Sequence, residues 1–294
     1  STHSPVLSAS VSLDTMLHLS VDRKATASVT PIRACGLSSE SKPFLARWLD
    51  VTKSTLLFAK SVILVEGIAE ALLLPELSSR VLRDYNAKAS KQKQLPESLD
   101  DCGVAVVNMN GIYFKHFMQL FCNLEGGEHC SLPVLCAGLT DQDPPKTEKA
   151  ADGSEILIKP TPADKREGTN KALELIPTIN ASAYARLFAG ELKTFEYDLG
   201  MTGGNLDIML EVAAELRKDQ PKVSARFANW QVTDWASEED EDRRASASCY
   251  LLQHIDKGEF AQALACKIAR PGVTFGVPDY IRKAVLWACG GVDV

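Results

Sequence analysis

Apolar positions along the chain gather in short blocks separated by polar turns. The block Val62-Ile63-Leu64-Val65 is apolar throughout and of strand length, the pattern of a strand covered on both faces. Similar blocks stand at 103–107 and 133–139. Between them, apolar residues at helical spacing predict helices over 68–82, with Pro75 breaking or kinking the first, and over 113–124. Strand–helix–strand–helix–strand with short links predicts a parallel α/β sheet with right-handed crossovers. Upstream, a polar turn at 1–5 precedes alternation over 11–19, read as two short strands, and a helix is expected over 46–58. Residues 88–96 read as a polar, basic loop. Residues 144–170, rich in Pro, Lys, Asp and Glu, read as an exposed excursion with a hairpin near 155–159. A helix is then expected over 181–189 and a strand over 193–199. Further helices are expected over 205–218, 250–269 and 278–289, with the five acids at 238–242 on a solvated loop or helix face.

Composition narrows the class without naming it. The chain has 294 residues, 45% hydrophobic and 24% charged, which excludes disordered, collagen-like and disulfide-scaffold proteins. That length supports about two domains of roughly 150 residues. No apolar run reaches the roughly 20 residues of a membrane span, and the N-terminus lacks a signal-peptide layout. The eight cysteines form no C-x-x-C pair, so free thiols in a reducing cytoplasm are expected. Lys plus Arg number 32 against 38 Asp plus Glu, a formal charge of −6. That balance argues against a coat of bulk positive charge on nucleic acid, but not against an enzyme whose carboxylates hold cations.

The candidate chemistry lies at strand ends. In parallel sheets, function gathers at the carboxyl ends of the strands. The first block ends in Glu66-Gly67, with Glu70 in the first turn of the following helix. The third ends in Thr140-Asp141-Gln142-Asp143; in extended chain Asp141 and Asp143 point the same way. Carboxylates crowded on one rim repel unless cations lie between them, and hard oxygen ligands suit Mg²⁺ or Mn²⁺. Such a rim has room for two ions. By spacing alone, Glu70 is equally an ordinary first-turn glutamate, and a D-x-D equally an acidic loop.

The segments 62–70 (VILVEGIAE), 107–111 (VNMNG) and 139–143 (LTDQD) resemble the Toprim (topoisomerase–primase) domain. Segments 192–199 (LKTFEYDL), 257–262 (KGEFAQ) and 278–281 (PDYI) are similar to the OLD (overcoming lysogenization defect) family of nucleases. The resemblance implies an α/β fold, a Toprim-like mostly parallel sheet flanked by helices with an added C-terminal helical domain. It also implies a metal-dependent DNA endonuclease with two Mg²⁺ or Mn²⁺ ions. Glu66, Asp141 and Asp143 are then metal ligands, Glu70 a ligand of the second ion, and Glu196 a further acid of the set. Lys257 stabilises charge on the phosphoryl group, so Glu66, Asp141 and Lys257 form the catalytic set. Thr140 either adds a hydroxyl or caps the turn. The basic loop with Lys88, Lys91 and Lys93 is the candidate phosphate contact.

Family members couple an N-terminal ABC-type ATPase to this nuclease, and Thr2-His3-Ser4-Pro5 resembles the switch-histidine segment of that ATPase. The chain starts at Ser1, so a C-terminal piece is expected. Residues 1–59 would be the ATPase remnant and a connecting helix, 60–202 the Toprim domain with an exposed insert at about 144–180, and 203–294 the helical domain. No G-x-x-x-x-G-K-[ST] occurs, so no ATP site is expected within it. The full-length protein would be a cytoplasmic homodimer acting on DNA, not on membranes, and this piece a monomer. Two other readings remain open at this level. One is a phosphotransferase or phosphatase with Asp141 as nucleophile; the other is a non-catalytic nucleic-acid-binding assembly module.

Overall fold

The three apolar blocks become the middle of one parallel sheet, in a computed structural model that describes residues 1–21, 26–150 and 152–290. The chain opens with α1 (Pro5–Ser10), an antiparallel hairpin of β1 (Leu17–Val21) and β2 (Ala27–Pro31), and α2 (Ser41–Trp48). It continues through β3 (Ser61–Val65), α3 (Ile68–Lys88), α4 (Leu99–Cys102), β4 (Val104–Asn108), α5 (Phe114–Met118) and β5 (Leu135–Thr140). A small hairpin of β6 (Thr147–Lys149) and β7 (Glu155–Leu157), then α6 (Ile176–Asn180), lead to β8 (Ala185–Ala189). Helices α7 (Phe195–Gly200), α8 (Asn205–Leu216), α9 (Pro221–Gln231), α10 (Glu241–His254), α11 (Lys257–Ile268) and α12 (Asp279–Gly290) follow.

The sheet order is β4-β3-β5-β8, all parallel, so every carboxyl end lies on one rim. All five residues of β3 are buried, because successive side chains enter opposite layers. Ile63 and Val65 join Ala137 and Leu139 in one core, with α3, α8, α11 and α12 packed over them. Val62 and Leu64 face a second core built with Leu45, Leu56, Phe114, Phe117 and Phe121. The C-terminal helices therefore share the core of the sheet. On the hairpin of β1 and β2, Leu17, Leu19, Val21 and Val29 remain exposed, with Leu19 directly opposite Val29.

Several elements differ from their sequence patterns. The alternation over 11–19 yields a 3₁₀ turn at Leu13–Thr15 and only the start of β1, whose partner is β2. The helix expected over 46–58 ends at Trp48, because Asp50 Oδ1 accepts the N–H groups of Thr52 (2.9 Å) and Lys53 (2.8 Å) in a local turn. Pro75 does not end α3, which runs 21 residues under packing from α11 and α12. The helix expected over 113–124 is confined to α5.

The segments 181–189 and 193–199 exchange types. Ala185–Ala189 is a strand because it fills the open edge of β5, where pairing and burial of Leu187 outweigh helix propensity. The alternating KTFEYDL is helical at α7 because Asp198 collects the N–H groups of residues 191–193 and turns the chain back on itself. The helix expected over 250–269 is two helices, since Asp256 caps α11 through the N–H of Glu259 (3.0 Å). Asp240 likewise caps α10 through the N–H of Arg243 (3.0 Å), which accounts for part of the acidic run. The excursion after Asp143 is not exposed throughout, and β8, not the excursion, takes the sheet edge. Ile158, Thr161, Asn170 and Ala172 are buried.

Candidate metal centre

Glu66 is the first residue beyond β3. Its carbonyl accepts the N–H of Gly111 (2.8 Å), and Val65 O accepts the N–H of Met109 (2.9 Å), so the neighbouring strand end locks the turn. Gly67 caps α3; a Cβ there would stand 3.1 Å from Glu70 Oε2, which a side chain would displace. Glu70 sits in the first turn of α3, where a carboxylate is favoured by the helix dipole, yet it is 8% exposed.

The second contribution comes from the end of β5. The N–H groups of Gln142 and Asp143 both donate to Lys193 O (3.1 and 3.0 Å), which pulls the D-x-D segment out of the sheet. Asp143 is held at φ +46, a left-handed conformation uncommon outside glycine. One oxygen each of Glu66, Asp141 and Asp143 lie within 4.8 Å of one another. Thr140 both lies beside the site and contributes a hydroxyl: its Oγ1 donates to Glu66 Oε1 at 2.5 Å. The same oxygen accepts Asn170 Nδ2 (3.2 Å) and the N–H of Asp141 (3.3 Å).

The field on the rim favours a cation. Burial pushes the Asp141 carboxyl well above its ordinary range, and the charges of Glu70, Glu66, Glu196 and Asp143 push it further. Glu70 is pushed up to about 7 by burial and by Glu196. Glu66 and Asp143 are also raised, chiefly by burial; hydrogen bonds from Thr140 and Asn170 oppose this at Glu66, and Lys257 opposes it at Asp143. A set of hard oxygen donors this close fits Mg²⁺ or Mn²⁺ and not a soft-ligand metal.

Two expected residues stand beside the triad. Glu196 is on α7, 1% exposed; its Oε2 accepts Thr194 Oγ1 (3.2 Å) and pairs with Lys257 Nζ (3.0 Å), while its Oε1 is buried without a partner. Lys257 opens α11. Burial lowers the pKa of its ammonium, but Glu196, Asp141 and Glu70 more than reverse this, so it stays charged. Among the described residues, Glu70 and Glu196 lie outside the three-oxygen group but within its field. Lys88, Lys91 and Lys93 stand apart. They occupy the last turn of α3 and the 3₁₀ turn after it, so the 21-residue helix places them about 30 Å from Glu66.

Sequence reasoning missed Asn170 and Asp198. Asn170 shows in the sequence only as a helix-cap signal before residue 171, and nothing there says that the excursion returns to the rim. Asp198, inside an alternating run, reads as an outward strand residue.

A strand-end glutamate and a D-x-D on adjacent parallel strands, with a glutamate in the intervening helix, define a Toprim-type domain. Such domains bind divalent metal and belong to enzymes of nucleotidyl-transfer or nuclease type. Residues 57–143 match the family model described as "Overcoming lysogenization defect protein-like, TOPRIM domain", so this segment is similar to the Toprim domain of OLD-like proteins. Among solved structures, the C-terminal region of the Xanthomonas campestris pv. campestris OLD protein is 23% identical, with a TM-score of 0.47; the match covers 81% of this chain and 95% of that one. The C-terminal region of the Burkholderia pseudomallei OLD protein is 20% identical, with a TM-score of 0.44, covering 80% and 98%. No curated protein matches the chain. No helix among the described residues is long and apolar enough to cross a membrane.

Proposed function

We propose that the chain is the nuclease part of an OLD-type protein, a metal-dependent endonuclease that nicks or cleaves DNA. The observation that carries this reading is the convergence of Glu66, Asp141 and Asp143 within 4.8 Å inside a Toprim segment. Mg²⁺ or Mn²⁺ bound there supplies an acidified water and neutralises charge on the phosphodiester. Glu66, Asp141 and Asp143 would hold the first ion, and Glu70 and Glu196, whose Oε1 is buried without a partner, would be the donors to a second. Lys257 keeps a half-exposed ammonium against Glu196, poised to donate to a phosphate oxygen as negative charge builds. A cleft of about 840 Å³, lined by Gln142, Asn170, Leu173 and Gly190, opens beside the triad and gives a flanking nucleotide room.

Lys88, Lys91 and Lys93 would be contacts to the DNA backbone remote from the metal centre. The remaining parts of this reading are an N-terminal ABC-type ATPase partner, a cytoplasmic homodimer of the full-length protein, and three segments at 1–59, 60–202 and 203–294. An Asp141 nucleophile is disfavoured, because burial and the charges of four neighbouring acids work against its ionised, nucleophilic form. Plasmid nicking with Mg²⁺ or Mn²⁺ tests the proposal. Glu66→Ala and Asp141→Ala are expected to reduce cutting by about 100-fold or more; variants that cut like the parent would remove the site assignment.

A further inference from the structure

The excursion after Asp143 returns to the rim and places one side chain on a metal-site carboxylate. We infer that Asn170 is a positioning residue, presenting Glu66 to the metal through one oxygen only and thereby tying metal affinity to the insert. The inference rests on the metal-centre reading above.

The geometry is specific. Glu66 Oε1 accepts three donors, from Thr140 Oγ1, Asn170 Nδ2 and the Asp141 N–H. A carboxylate oxygen offers about two lone pairs, so Oε1 has no capacity left for an ion. Among the described residues no donor reaches Oε2, which leaves that oxygen to the cation. Asn170 bridges the network, since the same Nδ2 also donates to Thr140 Oγ1 at 3.0 Å. Thr140 is thereby oriented to donate to Glu66 and not away from it.

Asn170 is itself held. It is 6% exposed, and its Oδ1 accepts the N–H of Ala172 (2.9 Å), which fixes which end of the amide faces Glu66. The insert is clamped to the D-x-D segment just before it. Thr169 N–H donates to Gln142 O (3.1 Å), and Thr169 Oγ1 donates to Asp143 O (2.5 Å). Gly168 permits this approach: a Cβ there would stand 2.6 Å from Gln142 O, a backbone atom that cannot yield. The insert therefore bonds one of the three carboxylates, Glu66, and the backbone that carries another, Asp143. Groups that orient metal ligands commonly set affinity by about 10–100-fold.

The test is Mn²⁺ binding to the purified chain, read by calorimetry or by the electron spin resonance of free Mn²⁺. Asn170→Ser keeps an acceptor for the Ala172 N–H but is too short to reach Glu66. Mn²⁺ affinity is expected to fall about 10-fold or more, with the thermal midpoint measured in chelator nearly unchanged. In a Glu66→Ala background the same substitution is expected to cost nothing further, because its effect runs through Glu66. Asn170→Ser binding Mn²⁺ like the parent would overturn the inference and leave the metal centre standing. An equal loss in the Glu66→Ala background would overturn it too, by showing a general disturbance of the rim. A parent chain that binds no Mn²⁺ would remove the metal-centre reading itself, and the inference with it.

Discussion

Asp141 and Asp198 are both buried aspartates at the carboxyl side of the sheet, 8% and 4% exposed, and they do opposite things. Asp198 accepts the N–H groups of Glu191, Leu192 and Lys193 at 2.6–3.3 Å, closing the loop between β8 and α7. Those donors pull its carboxyl down, so that burial raises it only to about 6. The carboxylate of Asp141 receives no hydrogen bond among the described residues and faces four other acids, so burial and like charge drive it well above its ordinary range despite the charge of Lys257. A buried charge supplied with donors holds structure together. One surrounded by like charge is a cost to the fold that a bound cation or a proton relieves.

The largest expected contrast is in activity. Asp141→Ala should reduce metal-dependent plasmid cleavage by about 10²–10³-fold, while its thermal midpoint in chelator stays level or rises, because a repelling charge is gone. A fall of several degrees would mean that Asp141 is a structural group like Asp198. Asp198→Ala should do the reverse. It strands three N–H groups at a cost of about 3 kcal/mol, or about 6–12 °C in thermal midpoint at this size. An Asp198→Ala protein that melts with the parent would dissolve the contrast.

Adding divalent metal sharpens the comparison from the other side. At a hundredfold excess over Kd, Mg²⁺ or Mn²⁺ should stabilise the parent by about 2.7 kcal/mol and Asp141→Ala far less, as differential scanning in EDTA and in metal would record. A smaller effect is expected with pH. Glu70 rises from 4.5 to about 7 on folding, and Asp198 from 3.8 to about 6. Both favour the protonated form in the folded state, so their stabilising contribution is complete below pH 4 and lost as pH rises through 6 to 7. The metal-free protein should therefore melt higher at pH 5.5 than at pH 7.5. A midpoint that falls on acidification over that window would contradict the assigned burial. Smallest of all is the joint substitution Lys88→Ala, Lys91→Ala, Lys93→Ala. It should lower the salt dependence of DNA binding by up to about 3 in slope and leave the metal-binding constant untouched.

How much of this was legible in sequence follows from how local each cause is. The strand at 61–65, the turn at Glu66-Gly67 and the helix carrying Glu70 are written in contiguous residues, and the sheet's parallel order follows from the crossovers between them. The D-x-D at 141–143 was readable for the same reason. The types of 181–189 and 193–199 were not, because an open sheet edge at β5 and the three N–H groups around Asp198 decided them. Both causes lie in partners outside each segment's own periodicity.

The sequence by itself determined which acids stand at strand ends and that a parallel sheet collects those ends on one rim. Only the tertiary structure decided how each acid is used. It drew Glu66, Asp141 and Asp143 into one group, left Glu196 bound to Lys257, and set the basic end of α3 about 30 Å away. It also brought Asn170 back across the insert to Glu66. The physical reason is that a side chain's chemistry depends on the donors, charges and solvent around it. Those surroundings come from residues brought close by folding, which no stretch of neighbouring letters contains.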